Sequence, residues 1–289
     1  MNYLYIYLGK VPEYVKNSIN AVLSVDKDAE VYFCSEYNPG FRNVNFINVK
    51  DLQSELTMAT ADLNIYNETN YDSSQNSLWI NSLLRIFYIN DFLDFTNLNQ
   101  LVHFDSDVVI YKPFNEISEV FTNNQLNITK LDNERLIFGY SFIPRHEVIL
   151  NICKKIFDFL EINNSKNSNF KINPLNEMQI LGNIMQEDST LFNTLPDLPY
   201  FGSQNIFDPA SYGQYLGGTH QEPKKWYKKK RPILDHTVGQ EIGAKRIEVN
   251  FENSIPSVSY NQEKYDLVNL HIHSKNLSKF NPKEYKDYV

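Results

Sequence analysis

The N-terminus reads as strand, helix, strand, and that order most constrains the fold. Tyr3-Leu4-Tyr5-Ile6-Tyr7-Leu8 is a run of β-formers closed by Gly9. Val11 to Val25 sets Val15, Ile19, Val22 and Leu23 at helical spacing, and Glu30-Val31-Tyr32-Phe33-Cys34 is strand-like again. Two strands joined through a helix pair in parallel, with the helix laid across one face. The pattern predicts an α/β protein: a mostly parallel sheet flanked by helices.

Further along, a short strand is expected near Val44 to Val49 and a helix over Ser77 to Phe92, with Leu78, Leu84, Ile86, Phe87 and Ile89 apolar. Leu101 to Ile110 reads as a buried strand, broken by Pro113. Leu136 to Ile143 is a further strand, Glu147 to Leu160 and Glu177 to Gln186 are helices, and Asn163 to Asn173 is a polar loop. Beyond Pro196 periodicity fades, so a loop-rich C-terminal subregion is expected before a last strand, Tyr265 to His273. No repeat or clean linker divides the 289 residues, which are read as one domain.

Composition removes several classes. With 42% apolar and 21% charged residues the chain is ordinary soluble globular material. A net charge of −8 argues against a general nucleic-acid binder, which needs a basic face, and leaves room for one local basic pocket for a phosphate. Cys34 and Cys153 both sit among apolar neighbours and are read as buried thiols of a reducing compartment. Met1 to Gly9 has no basic n-region, and no stretch approaches the roughly 18 apolar residues of a membrane span. The expected location is cytoplasmic (a host's cytoplasm for a viral protein).

Asp105-Ser106-Asp107 is the central motif. It is embedded in Leu101-Val102-His103-Phe104 and Val108-Val109-Ile110, apolar on both sides. Two carboxylates in an oily strand are costly unless a cation neutralises them, and hard divalent ions take carboxylate oxygens. Asp26-Lys27-Asp28 repeats the spacing at a helix-to-strand turn and reads as solvated. His271-Ile272-His273-Ser274-Lys275 closes the last strand; alternation sets Asn269, His271 and His273 on one face and Val268, Leu270 and Ile272 on the other. A histidine there suits Mn²⁺ as a further ligand, and Lys275 suits a phosphate.

Together these segments resemble the GT-A glycosyltransferases, of the glycogenin and lipopolysaccharide-galactosyltransferase type and of bacteria and large DNA viruses. The resemblance takes in the N-terminal βαβ, the helix carrying Arg85, the Asp-x-Asp strand, Gly139-Tyr140-Ser141, Asn176-Glu177-Met178-Gln179 and His271 to Lys275. The glycogenin-type C-terminal pattern His-x-x-Gly-x-x-Lys-Pro-Trp is replaced by His-x-His-Ser-Lys, which leaves His271 and His273 both open as the metal ligand, with His273 nearer the turn.

The resemblance implies a GT-A (Rossmann-like) fold that transfers sugar from a nucleotide donor, UDP-linked by preference, to a glycan or glycoconjugate, with retention. It implies Mn²⁺ or Mg²⁺ on Asp105, Asp107 and a histidine, and a nucleotide near Leu8, Gly9, Ser35 and Ser106. Arg85 and Lys275 would meet diphosphate or sugar, and Glu177 or Gln179 the donor sugar. Residues 1–110 would be the nucleotide-sugar half and 111–289 the acceptor side with the C-terminal metal and phosphate segment. Asp208 and Asp235 are candidate bases. Phe207 to Gly218 offers Tyr212 and Tyr215 as stacking faces for an acceptor, and the basic run Lys224 to Arg231 offers an anion or membrane-surface contact. Two other readings fit paired aspartates: a metal-dependent nucleotidyltransferase or phosphohydrolase, and a non-catalytic nucleotide-sugar-binding module.

Overall fold

A computed structural model describes residues 1–65, 73–166, 169–170, 174–218 and 236–289. The N-terminal unit is β1 (Asn2–Tyr7), α1 (Tyr14–Val25), β2 (Glu30–Ser35) and β3 (Asn45–Asn48), followed by α2 (Glu55–Asp62) and α3 (Ser73–Thr96). Then come β4 (Leu101–His103), β5 (Val108–Ile110), β6 (Leu126–Lys130), β7 (Leu136–Ile143), α4 (His146–Lys166), α5 (Glu177–Glu187) and β8 (Phe192–Thr194). The remainder is β9 (Asn205–Ile206), α6 (Tyr212–Gly217), α7 (Thr237–Gly243), β10 (Glu248–Glu252), β11 (Ile255–Tyr260), β12 (Glu263–Leu267) and β13 (Asn269–His271).

The main sheet runs β3-β2-β1-β4-β7-β6-β8. Pairing is parallel from β3 to β4 and between β6 and β8, and antiparallel on both sides of β7. The expected mostly parallel α/β sheet is what forms. Alternation along β1 sorts its side chains between two layers. Tyr3 and Tyr5 pack with Val15, Ile19 and Val22 of α1, whereas Leu4 and Ile6 share a core with α3 and α4. Helix α3 is apolar around much of its circumference (Leu83, Ile86, Phe87, Ile89, Phe92) because it lies in the core shared by sheet and α4.

From β1 the chain winds outward through β2 and β3, then returns to place β4 on the other side of β1. Such a reversal opens a crevice at the carboxyl ends of the two strands, where ligands of open α/β sheets bind. Tyr7-Leu8-Gly9 leaves β1 there, and Asp105 follows β4.

Two expectations change. The Leu101–Ile110 segment is two strands, not one, with Asp105 to Asp107 in the turn between them and Val108 N donating to Asp105 O at 3.0 Å. After that turn β5 leaves the main sheet and pairs antiparallel with β13, Val108 opposite His271 and Ile110 opposite Asn269. The C-terminal region is also more regular than expected, for β10-β11-β12-β9 forms a second sheet. Its two hairpins turn on Asn253-Ser254 and Asn261-Gln262, all at positive φ (53° and 63°, 49° and 69°), the conformation of two-residue type I′ turns.

Asp26 is buried and accepts from Tyr3 Oη at 2.7 Å, so it ties β1 to the end of α1 and is not solvated. The last expected strand is split at Val268 into β12 and β13. Helix α4 runs on to Lys166, into the segment read as a loop. Cys34 and Cys153 are free and buried, as expected. No described helix is long and apolar enough to cross a membrane.

Candidate active site

The turn carrying the aspartates is anchored by the residue before it. Phe104 is buried, stacked on Tyr140 (5.7 Å between centroids) and edge-on to Tyr5 (5.3 Å), contacts worth about 0.5–1.5 kcal/mol each beyond burial. On the other side Ser18 of α1 donates to Val108 O at 2.5 Å. The turn is thus clamped at both ends.

Pairing of β5 with β13 then decides what faces it. Ile272 N donates to Asp107 O at 2.9 Å, extending the ladder by one rung. His271 Nε2 lies 3.1 Å from Asp107 Oδ1 and 3.6 Å from Asp105 Oδ2. The two imidazoles lie 4.5 Å apart between ring centroids. Asp107, His271 and His273 offer ligand atoms all within 4.8 Å of one another, a cluster that could hold a metal ion. Lys275 Nζ caps Asp107 Oδ2, and Arg85 pairs with Asp105 Oδ1. Two cations therefore already sit on the carboxylates.

Titration follows from this crowding. Burial would raise Asp107, but His271 and Lys275 outweigh it and hold the carboxyl far below its usual range. Burial would lower His271, yet Asp107 and Asp105 hold it above the ordinary imidazole value. His273 is pushed down to about 3 by burial and by its neighbour His271. Glu177, the first residue of α5, is buried, and burial lifts its carboxyl to about 7 with Arg85 opposing and Asp105 adding. Its Oε2 has no hydrogen-bond partner, nor has the buried Nε of Arg85.

Arg85, Asp105, Asp107, Glu177, His271, His273 and Lys275 therefore converge. Three other expected residues do other work. Gln179 Oε1 accepts from Asn176 N (3.2 Å) while Asn176 Oδ1 accepts from Gln179 N (3.0 Å), a reciprocal cap on α5. Ser35 is buried, and its hydroxyl donates to Tyr37 O at 2.6 Å within its own turn. Asp208 accepts from the backbone N–H groups of Ser211, Tyr212, Gly213 and His271 at 2.7–2.9 Å. Its oxygens are fully taken, so it positions β13 against α6 and has no lone pair left for a base.

Tyr212 is buried with its hydroxyl on Asp197 O at 2.7 Å, so it offers no stacking face. Gly213 is required where α6 crosses β13: a Cβ there would lie 2.1 Å from His271 O. Asp235 and Lys224 to Arg231 lie outside the described residues.

Sequence reasoning passed over two contributors. Gln214 Nε2 donates to His273 Nδ1 at 2.9 Å. Tyr14 hydrogen-bonds Ser106 and Tyr7, and its ring lies 5.4 Å from Lys275 Nζ. Neither belongs to a motif; only the strand crossing brings them in. Beside them, a cavity of about 520 Å³ opens between the β1–α1 and β2–β3 loops, lined by Gly9, Lys10, Val11, Lys16, Tyr37 and Phe41 among others. Leu8 leads into the same loop, and Gly9 N donates to Glu36 Oε2 at 3.0 Å.

No protein-family model matches the chain, and no characterised protein sequence does. Several solved structures are similar to it. Mouse xyloside xylosyltransferase 1 is 12% identical over 68% of this chain and 86% of its own, with a TM-score of 0.48. GlyE of Streptococcus pneumoniae TIGR4 is 13% identical over 69% of this chain and 46% of its own, at 0.43. An active-site mutant of LgtC is 10% identical over 80% and 83%, at 0.42. All three are glycosyltransferases.

Proposed function

We propose that this chain is a metal-dependent glycosyltransferase that moves a sugar from a nucleotide-diphosphate sugar, UDP-linked by preference, to a carbohydrate or glycoconjugate acceptor. The observation that carries the reading is the meeting of Asp107 with His271, His273 and Lys275 across the β5–β13 pairing, at the crevice where the sheet reverses. A carboxylate and two imidazoles suit Mn²⁺, and the nitrogen donors favour it over Mg²⁺. Asp107, His271 and His273 would hold the ion, with Asp105 alongside. When bound, it supplies Lewis-acid stabilisation of the charge on a departing diphosphate.

The chain's own groups have separate tasks. Lys275 is a compact point charge that exchanges Asp107 for a phosphate oxygen. Arg85 presents a guanidinium fork whose buried Nε has no partner, suited to diphosphate or sugar oxygens. Glu177, largely neutral below about pH 7, can donate a hydrogen bond to a donor-sugar hydroxyl. The cavity at Gly9, with Tyr37 and Phe41 on its wall, suits the flat face of a nucleobase. In this reading residues 1–110 hold the nucleotide and 111–289 supply the acceptor side and the metal and phosphate segment. Retention is the expected stereochemistry, read from the anomeric proton of the product.

The test is acceptor-free hydrolysis of UDP-sugars in Mn²⁺, with the released nucleotide identified. Slow release of UDP, absent in Asp107→Ala and in EDTA, supports the reading. Release of UMP and sugar phosphate, or binding without any turnover, contradicts it.

A further inference from the structure

A second concave site lies on the C-terminal sheet and has no part in the chemistry above. Three segments build it: the turn Pro199–Phe201, the C-terminal end of α7, and the β11–β12 hairpin. Its lining is Tyr200, Glu241, Lys245, Arg246, Tyr260 and Asn261, around about 560 Å³. Tyr200 and Phe201 are 41% and 64% exposed, and the rings of Tyr200 and Tyr260 lie 5.0 Å apart at 60°. Aromatic residues gathered on a surface mark a contact site more often than singly exposed ones do.

The polar groups are fixed before any ligand arrives. Arg246 grips Glu241 with both arms, Nε on Oε2 at 2.5 Å and an Nη on Oε1 at 2.6 Å. The Tyr200 hydroxyl bonds the same carboxylate, which sets the angle of its ring. The site thus combines aromatic faces with a rigid, planar, hydrogen-bonding ion pair. Four of the six lining residues are polar or charged (Glu241, Lys245, Arg246, Asn261), so the site is a polar concavity with two aromatic faces, suited to a ligand rich in hydroxyls.

Charge and shape then select the ligand class. Glu241 takes up both arms of Arg246, so the charge left over in the lining is the single Lys245 ammonium, and phosphate is the anionic rival that the experiment must exclude. Aromatic faces and a planar ion pair match a neutral pyranose, which has a C–H face for stacking and a rim of hydroxyls for bidentate contacts. We propose that this pocket is a second carbohydrate-binding site, taking a neutral sugar unit of an oligosaccharide. The choice of a sugar rests on the glycosyltransferase reading; the site's existence does not.

Its place in the fold gives it a use. Helix α7 begins beside Ser211, whose hydroxyl lies 3.3 Å from His236 Nδ1. Ser211 is next to α6, which carries Gln214 against His273. The pocket is at the other end of α7, whose seven residues span about 10 Å at the helical rise per residue. The pocket is thus joined through α7 and α6 to the His273 end of the cluster.

The experiment is binding without turnover. Maltose, cellobiose and lactose are titrated against the full chain by saturation-transfer NMR, with inorganic phosphate as the anionic comparison. At least one disaccharide should bind saturably, with the strongest transfer to ring C–H protons. Tyr260→Ala and Arg246→Gln should each weaken it roughly tenfold, the worth of one aromatic or bidentate contact. Asp107→Ala and EDTA should leave it unchanged, which separates this site from the catalytic reading. Three outcomes overturn the proposal: no saturable binding of any disaccharide, binding indifferent to both pocket variants while their melting curves match wild type, or displacement by phosphate.

Discussion

His271 Nε2 stands 3.1 Å from Asp107 Oδ1, and directly beneath them the backbone pairs His271 with Val108. The distance between carboxylate and imidazole is therefore set by a strand ladder, not by loops. Anything that shifts β13 against β5 shifts the ligand cluster with it, and two buried features behind β13 hold it in register.

The first is Gly213. A methyl group there would sit 2.1 Å from His271 O and 2.6 Å from its carbonyl carbon, both backbone atoms with nowhere to go. Gly213→Ala should cost about 1–3 kcal/mol, the range for overpacked cores. It should also weaken Mn²⁺ binding more than it lowers the melting temperature of the metal-free protein would explain. Wild-type metal affinity in a destabilised variant would show that the contact matters to folding only.

The second is Asp208. Removing its carboxylate strands four buried N–H groups, and each unsatisfied group costs about 1–3 kcal/mol. Asp208→Ala should lose on the order of 3 kcal/mol or more in urea unfolding. A variant that keeps its stability and loses only turnover would restore Asp208 as a candidate base.

Much of this was legible beforehand. The βαβ opening, the helix with Arg85, the acidic pair and the His-x-His-Ser-Lys ending all carry local signals, and periodicity identifies the first two as elements; it does not show that the acidic pair lies in a turn or that the last strand breaks at Val268. Strand crossing carries no such signal. Ser35, Gln179 and Asp208 look like ligand contacts in one dimension, because Ser, Gln and Asp serve caps and turns as readily as sites. Tyr14 and Gln214 enter only through the packing of α1 and α6. The C-terminal hairpins are hidden by short strands and by turns in which Asn253 and Asn261 fit the first position but Ser254 and Gln262 stand where glycine is favoured.

Glu177 gives a pH signature. An unfolded glutamate titrates near its ordinary 4.5, while the folded group titrates at about 7 because burial disfavours its charged form. Between those values the folded state keeps a proton that the unfolded state has lost, so stability falls as pH rises from 4.5 to 7 and then levels. Glu177→Gln should remove that fall in EDTA: unlike wild type below pH 4.5 only in amide chemistry, and more stable than wild type by a few kcal/mol, order of magnitude, at pH 8. A wild-type slope that survives the substitution would place the titration elsewhere.

Lys275 competes with a metal for Asp107 and assists it with phosphate. Lys275→Met should leave Mn²⁺ binding in the absence of nucleotide unchanged or tighter, because a rival cation is gone. Binding of UDP to the same protein should weaken by roughly tenfold, the scale of one charge-assisted contact. Parallel loss of Mn²⁺ and UDP would mean that Lys275 only supports the strand end.

The central claim is that Asp107 and the β13 histidines hold a divalent ion that a nucleotide diphosphate shares. Electron paramagnetic resonance of free Mn²⁺ during a protein titration, with and without UDP, tests it most directly. The account predicts one bound ion per chain, held more tightly with UDP present, and lost in Asp107→Asn and in His271→Ala while both variants remain folded. Mn²⁺ binding that is absent in wild type, or that persists unchanged in both variants, would contradict it.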